Sequence, residues 1–256
     1  MIELRTPAEI DQMRAAGTFV AEVLTALTAA TAVGVNLLEL DAIAHSMIRE
    51  RGAESCYIDY HPAFGASPFG KVLCTSVNDA ALHGLPHDYT LLDGDLISLD
   101  FAANVEGWVA DSAVSVIVGT ARAEDVRLIE ITQLSLDAAI ATAVVGNRIG
   151  DISAAIGRVG QENGFTVNTD FGGHGVGRTM HGDPHIPNDG RPGRGLPLRA
   201  GLVFAIEPWL MQTTDRIFTD PDGWTLRSLD GSRAAHIEHT VAITDDGPII
   251  LTARAA

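Results

Sequence analysis

Cysteine is nearly missing from this 256-residue chain. Only Cys56 and Cys74 occur, which argues against a disulfide framework. Long apolar runs are also missing, and no stretch approaches the roughly 20 residues needed to cross a bilayer. The opening Met1-Ile2-Glu3-Leu4-Arg5 has no basic-then-apolar pattern, so no secretory signal and a cytoplasmic location are expected. Positive charge is scarce: 17 Lys and Arg stand against 33 Asp and Glu, for a net charge of −16. That balance repels nucleic acid and acidic membranes, and neither is expected as a partner. Most of the acidic excess reads as solvated surface; a few carboxylates remain available to hold cations.

What is present is ordinary globular material. Hydrophobic residues make up 46% and charged residues 20%, enough to bury a core in one large domain or two small ones. Thr6-Pro7-Ala8-Glu9 has the form of a capping box with proline in the first turn. Ile10, Met13, Val20, Leu24 and Leu27 follow at helical spacing, predicting a helix that ends near Gly34. A second is expected from Asn36 to Arg51, with Leu40, Ile43, Met47 and Ile48 inward and Gly52 as its stop.

Strand-like segments come next at 72–77 and 96–101, the latter leading through Asn104-Val105-Glu106-Gly107 into 108–118 as a hairpin. Two more helices are expected at 124–145 and 151–163, then strands at 165–171, 202–211, 225–229 and 233–244. Glycine and proline concentrate in 172–201, which reads as a functional loop. The order helix, helix, strands occurs twice without a linker. We therefore expect one α+β domain over residues 1–256, with helices covering one face of a mostly antiparallel sheet.

Four acidic residues sit inside apolar, strand-like runs: Asp100, Asp111, Glu207 and Glu238. Each alone also reads as an outward-facing strand residue. Asp100 and Asp111 are eleven residues apart on the two arms of the hairpin, where a ladder can set them side by side. Buried together they repel, unless a cation lies between them. His174 stands among four glycines in Gly172-Gly173-His174-Gly175-Val176-Gly177, with His181 and His185 downstream. Glycine there removes bulk and permits unusual backbone angles. No Lys-Ser/Thr or Gly-x-Gly-x-x-Gly pattern marks a phosphate cradle. Four carboxylates and one imidazole balance two divalent cations, and the oxygen-rich set suits Mn, Fe, Co or Zn.

The order and spacing of these residues resemble the type I methionine aminopeptidases along nearly the whole chain. The anchors are Leu82-His83-Gly84-Leu85-Pro86, Asp100 with Asp111, Gly173-His174-Gly175-Val176-Gly177-Arg178, Ile206-Glu207-Pro208 and Glu238-His239-Thr240. The resemblance implies a pita-bread fold of two pseudo-symmetric halves around two divalent metal ions. It implies that Asp111 and Glu238 bridge the ions, that Asp100 binds one, and that His174 and Glu207 bind the other. A hydroxide activated by the two ions would then remove the N-terminal methionine of peptides and nascent chains. His83 would assist proton transfer to the leaving amide nitrogen, His181 would hydrogen-bond the carbonyl oxygen, and Glu207 is a candidate general base.

Tyr60, Cys74 and Trp224 match the family's methionine pocket, with Met180 and Cys56 as further candidates. His174 and Glu207 are 33 residues apart, so the helical insert of type II enzymes is missing. No Cys-rich N-terminal extension precedes the first helix. The chain therefore resembles the short bacterial form, and the resemblance implies a monomer with access to the ribosome. One segment departs from the family pattern Tyr-His-Gly-Tyr-Pro: here it reads Tyr60-His61-Pro62-Ala63-Phe64-Gly65. Pro62 restricts that loop, so a shifted peptide preference is expected. Two other readings share these features. One is a proline-specific peptidase of the same fold, the other a pita-bread scaffold that binds protein without catalysis.

Overall fold

The computed structural model describes residues 2–62, 65 and 67–254. Four helices and two groups of strands alternate along the chain. Helix α1 (Pro7–Ala30) begins with the expected capping box, in which Thr6 and Glu9 satisfy each other's backbone amides. Its apolar positions Ile10, Met13, Val20, Leu24 and Leu27 are all buried. The helix stops at Ala30 rather than near Gly34, because the Thr31 hydroxyl and amide both bond the Leu27 carbonyl and the chain turns out as extended backbone. Helix α2 (Leu37–Arg51) is capped by Asn36 and closed by Gly52. Leu40 and Ile48 are buried in it, while Ile43 and Met47 are only half-buried against the same core.

The main sheet has nine strands, and every pairing in it is antiparallel. Its centre is the hairpin of Leu96–Val105 and Trp108–Ile117. Glu106 and Gly107 form its two-residue turn with φ of 54° and 80°, the left-handed pair that matches strand twist. Helix α1 packs on this hairpin, and together with α2 it closes one apolar core. Helices α3 (Ala123–Thr142) and α4 (Ile149–Glu162) close a second core over Phe204, Ile206, Val241 and Ile243. A third apolar cluster contains Tyr57, Phe69, Cys74, Met180 and Trp224. No helix among the described residues is long and apolar enough to cross a membrane.

Three expectations need correction. The segment 172–201 is not simply a loop, since it contains the strands Gly172–Gly175 and Gly182–Pro187. The segment 165–171 pairs as a strand only at Thr166–Val167. The segments 202–211 and 233–244 are each broken in two. Val203–Ile206 and Glu238–Thr244 lie in the main sheet, whereas Trp209–Met211 and Ala234–His236 pair in a separate one. Pro208 cannot donate to a ladder, and its carbonyl takes the Ile237 amide at 3.2 Å, so both chains change sheet at one point. Glu207 and Glu238 stand at that change.

Candidate active site and metal centre

Sheet register brings the acids together. Ala113 pairs with Asp100 on one side and with Glu238 on the other, so the two carboxylates stand in one cross-strand row. Cys74 extends the row on the far side of Asp100. Asp111 pairs with Ala102, which sets it diagonal to Asp100 rather than directly opposite. The two still share a face, because partners across a ladder and residues two apart point the same way. The Tyr57 hydroxyl spans the diagonal, donating to Asp100 Oδ1 at 2.6 Å with Asp111 Oδ1 at 3.3 Å.

His174 enters from Gly172–Gly175. None of the glycines of that motif has a positive φ among the described residues. Their role is close approach: a side chain on Gly173 would strike the Ala205 carbonyl, and one on Gly175 the Asp183 carbonyl. His174 Nδ1 lies 3.3 Å from the Gly175 carbonyl oxygen. A proton on Nδ1 leaves the Nε2 lone pair facing the acids. Nε2 is 3.6 Å from Glu207 Oε1 and 3.9 Å from Asp111 Oδ2. Ligand atoms of Asp111, His174 and Glu238 all lie within 4.8 Å of one another.

The backbone behind the acids is pinned. The Thr240 hydroxyl donates to the Asp111 carbonyl at 2.8 Å and accepts its amide at 2.9 Å. The Ser112 hydroxyl donates to the Glu238 carbonyl at 2.5 Å, and Asn188 donates to that of Glu207 at 3.1 Å. Asp222 accepts the Trp224 and Thr225 amides at 2.8 Å, and the Thr225 hydroxyl takes the Leu85 amide at 3.1 Å. This turn ties the Trp224 wall to the segment that carries His83. His83 holds φ of 54°, which is uncommon for a residue with a side chain. Gly84 fixes it there by accepting the Thr75 amide at 2.7 Å.

Electrostatics define what this cluster needs. Burial pushes the carboxyl of Asp100 up to about 6 and that of Glu207 up to about 8. Asp111 and Glu238 are driven well above the usual range, first by burial and then by their acidic neighbours. Glu238 Oε1 is buried and lacks a hydrogen-bond partner among the described residues. Such a set is stable as anions only if cations neutralise it. Burial also keeps His174 neutral, lowering its pKa to about 3, which is the ligand form. The donor set therefore fits divalent metal.

The acids open onto a cavity of about 280 Å³. The site residues expected from sequence line it, apart from Cys56: Asp100, Asp111, His174, Glu207 and Glu238, together with Tyr60, Cys74, His83, His181, Trp224 and Met180. Cys56 does not; it lines a shallower groove beside Glu54 and Arg178. Tyr57, Phe69 and Phe171 also line the main cavity and were not foreseen. Phe69 packs edge-on against Trp224 with ring centroids 5.1 Å apart. The His174 and His181 rings are 4.2 Å apart, and Tyr60 lies 5.2 Å from His181. A side chain on Gly65 would press on the Trp224 ring, so the departing loop does border the pocket. Its Ala63 and Phe64 lie outside the described residues.

The antiparallel sheet, the neutral imidazole and the carboxylates gathered at an apolar cavity define a metal-dependent hydrolase. The match of family models is specific within that class, covering residues 11–245. The chain belongs to metallopeptidase family M24. It is 46% identical over 259 residues to methionine aminopeptidase 1 of Mycobacterium tuberculosis, covering 98% of this chain and 95% of that protein. It is 42% identical over 254 residues to a methionine aminopeptidase of Aquifex aeolicus, covering 98% of each. The crystal structure of methionine aminopeptidase from Thermotoga maritima superposes with a TM-score of 0.92 at 36% identity, over 98% of this chain and 99% of that one. Prolidase from Pyrococcus furiosus shares the pita-bread fold at a TM-score of 0.77 and 21% identity, over 99% of this chain and 66% of the prolidase.

Proposed function

We propose that this chain is a type I methionine aminopeptidase that removes N-terminal methionine from peptides and nascent chains. The observation that carries this reading is the junction of two unlike surfaces in one cavity. Buried acids and His174 form one set of lining residues and Tyr60, Phe69, Met180 and Trp224 the other, with Cys74 paired beside Asp100. An unbranched thioether suits the second surface, because sulfur packs favourably against aromatic edges. The high-coverage relatives bear the same activity in their names, and this favours methionine over the X-Pro bonds of the more distant prolidases. A purely scaffolding role does not account for the buried acids.

Asp100, Asp111, His174, Glu207 and Glu238 would hold the divalent metal, with Asp111, His174 and Glu238 offering donor atoms within 4.8 Å of one another. Two ions are favoured over one by charge, since four carboxylates balance +4. Mn, Fe, Co and Zn all suit the donors. When bound, they supply Lewis acidity that polarises the scissile carbonyl and acidifies water. The chain supplies the rest. The apolar wall seats the methionine side chain and so fixes the first peptide bond beside the acids. His181 donates to the carbonyl oxygen, where negative charge develops. His83, whose pKa burial lowers to about 4, is neutral near pH 7 and relays to the departing amide nitrogen a proton released by the attacking water, ending neutral again. Glu207 is available as general base. We infer that the chain acts as one catalytic unit, as a monomer in the cytoplasm, with access to chains leaving the ribosome.

The test is a rate comparison on Met-Ala and X-Pro peptides with divalent metal supplied. Release of methionine is expected to dominate, and His174→Ala is expected to abolish nearly all turnover. Faster cleavage of X-Pro peptides would establish the prolidase reading instead.

A further inference from the structure

His236 has no place in the mechanism above, yet it is buried to 2% exposure beside two of the acids. Its Nε2 lies 3.7 Å from Glu207 Oε2 and 3.8 Å from Glu238 Oε2, and has no hydrogen-bond partner among the described residues. A ring nitrogen so deeply buried is costly to leave unpaired. Its backbone is held rigidly, with the amide at 3.0 Å from the Ser115 hydroxyl and the carbonyl accepting that hydroxyl at 2.9 Å. The ring is thus aimed by the scaffold. Glu207 divides its two oxygens: Oε1 lies 3.6 Å from His174, and Oε2 faces His236.

We propose that His236 is a positioning residue whose Nε2–H donates to the outer oxygen of either Glu207 or Glu238, fixing one of these carboxylates at a time for metal. The inference rests on the metallopeptidase reading. A neutral imidazole can give its proton to one carboxylate oxygen at a time, and a small rotation of either acid brings Oε2 within hydrogen-bond range. On Glu207 the acceptor oxygen is not the one nearest His174, so the contact leaves Oε1 free for a cation. Carboxylate ligands are commonly held by such outer hydrogen bonds, and loss of one weakens metal affinity by roughly 10–100-fold.

The experiment titrates the metal-free full chain with Mn²⁺ by calorimetry, as wild type, His236→Gln and His236→Leu. Thermal melting of each metal-free protein runs alongside. Gln keeps a donor of similar reach, and Leu fills the space without one. The Leu variant is expected to bind Mn²⁺ roughly 10–100-fold more weakly, with Gln restoring most of the affinity. Wild-type affinity in a folded Leu variant overturns the proposal. So does a Gln variant as weak as Leu, which would make the ring itself the requirement. Should the Leu variant not fold, the Gln variant decides: retained affinity supports a donor role, and a tenfold or greater loss overturns it. A wild-type chain that binds no Mn²⁺ removes the metallopeptidase reading itself, and the proposal with it.

Discussion

The Tyr57 hydroxyl donates to Asp100 Oδ1 at 2.6 Å. The bond links the acids to the apolar cluster, and it holds down the carboxyl that burial raises. Tyr57→Phe keeps the ring and its edge contact with Phe69 but removes the donor. The expected outcome is a metal affinity weaker by about tenfold with little change in melting temperature. Calorimetric titration of the metal-free protein measures it.

Acidity of the metal-free site predicts a pH-dependent stability of definite sign. Glu207 has its carboxyl raised to about 8, so the folded state holds a proton that the unfolded state has released. Stability from that proton is full below the ordinary carboxyl range and is lost as pH rises through about 8. The buried histidines act oppositely, because His174 and His236 are lowered to about 3. Their effect is confined below about 6.5, where the unfolded imidazole titrates. From pH 6.5 to 8.5 the acids stand alone, and stability should fall by about 1.4 kcal/mol per pH unit for each proton retained. Denaturant unfolding of the metal-free chain checks this. Glu207→Gln should flatten the slope, and added Mn²⁺ should oppose it.

His83 is expected to separate chemistry from binding. His83→Ala should lower kcat by roughly 10²–10⁴-fold, the range of a lost proton-transfer group, with KM little altered. Steady-state kinetics on a Met-Ala peptide gives both constants. Metal content should be unchanged, since His83 is not among the assigned ligands.

Trp224 is expected to act mainly on recognition. Trp224→Leu removes aromatic wall facing Tyr60 and Phe69. It should reduce kcat/KM for Met-Ala by roughly 10–200-fold, the scale of a misfitted apolar pocket. The loop bordering Trp224 adds a related expectation. Relative rates on Met-Ala, Met-Gly and Met-Val should differ from those of an enzyme with Tyr-His-Gly-Tyr-Pro at this place.

Much of this site was legible in sequence because its parts lie in register-locked strands. The hairpin alone constrains Asp100 and Asp111, and the alternation of side chains puts them on one face. Helix ends were legible for the same local reason, as Thr6 with Glu9 and Gly52 show. What escaped depends on contacts across the chain. Tyr57 meets Asp111 across 54 residues, and nothing near it in sequence signals that. The strand break at Glu207-Pro208 was signalled by the proline, whereas the one at Ile237 depends on its amide bonding the distant Pro208 carbonyl, and its apolar run gave no warning. His236 was not legible either: it ends one strand and Glu238 begins another in a different sheet, so simple alternation along one strand does not relate them.

The most direct measurement is the divalent metal retained by the reconstituted chain after gel filtration, by elemental analysis, beside the Asp111→Asn/Glu238→Gln variant. The wild-type chain should retain divalent metal and release methionine from Met-Ala, while the folded double variant should lose both. A wild-type chain without metal, or a double variant that keeps metal and activity, would contradict the assignment of these acids as the cation site.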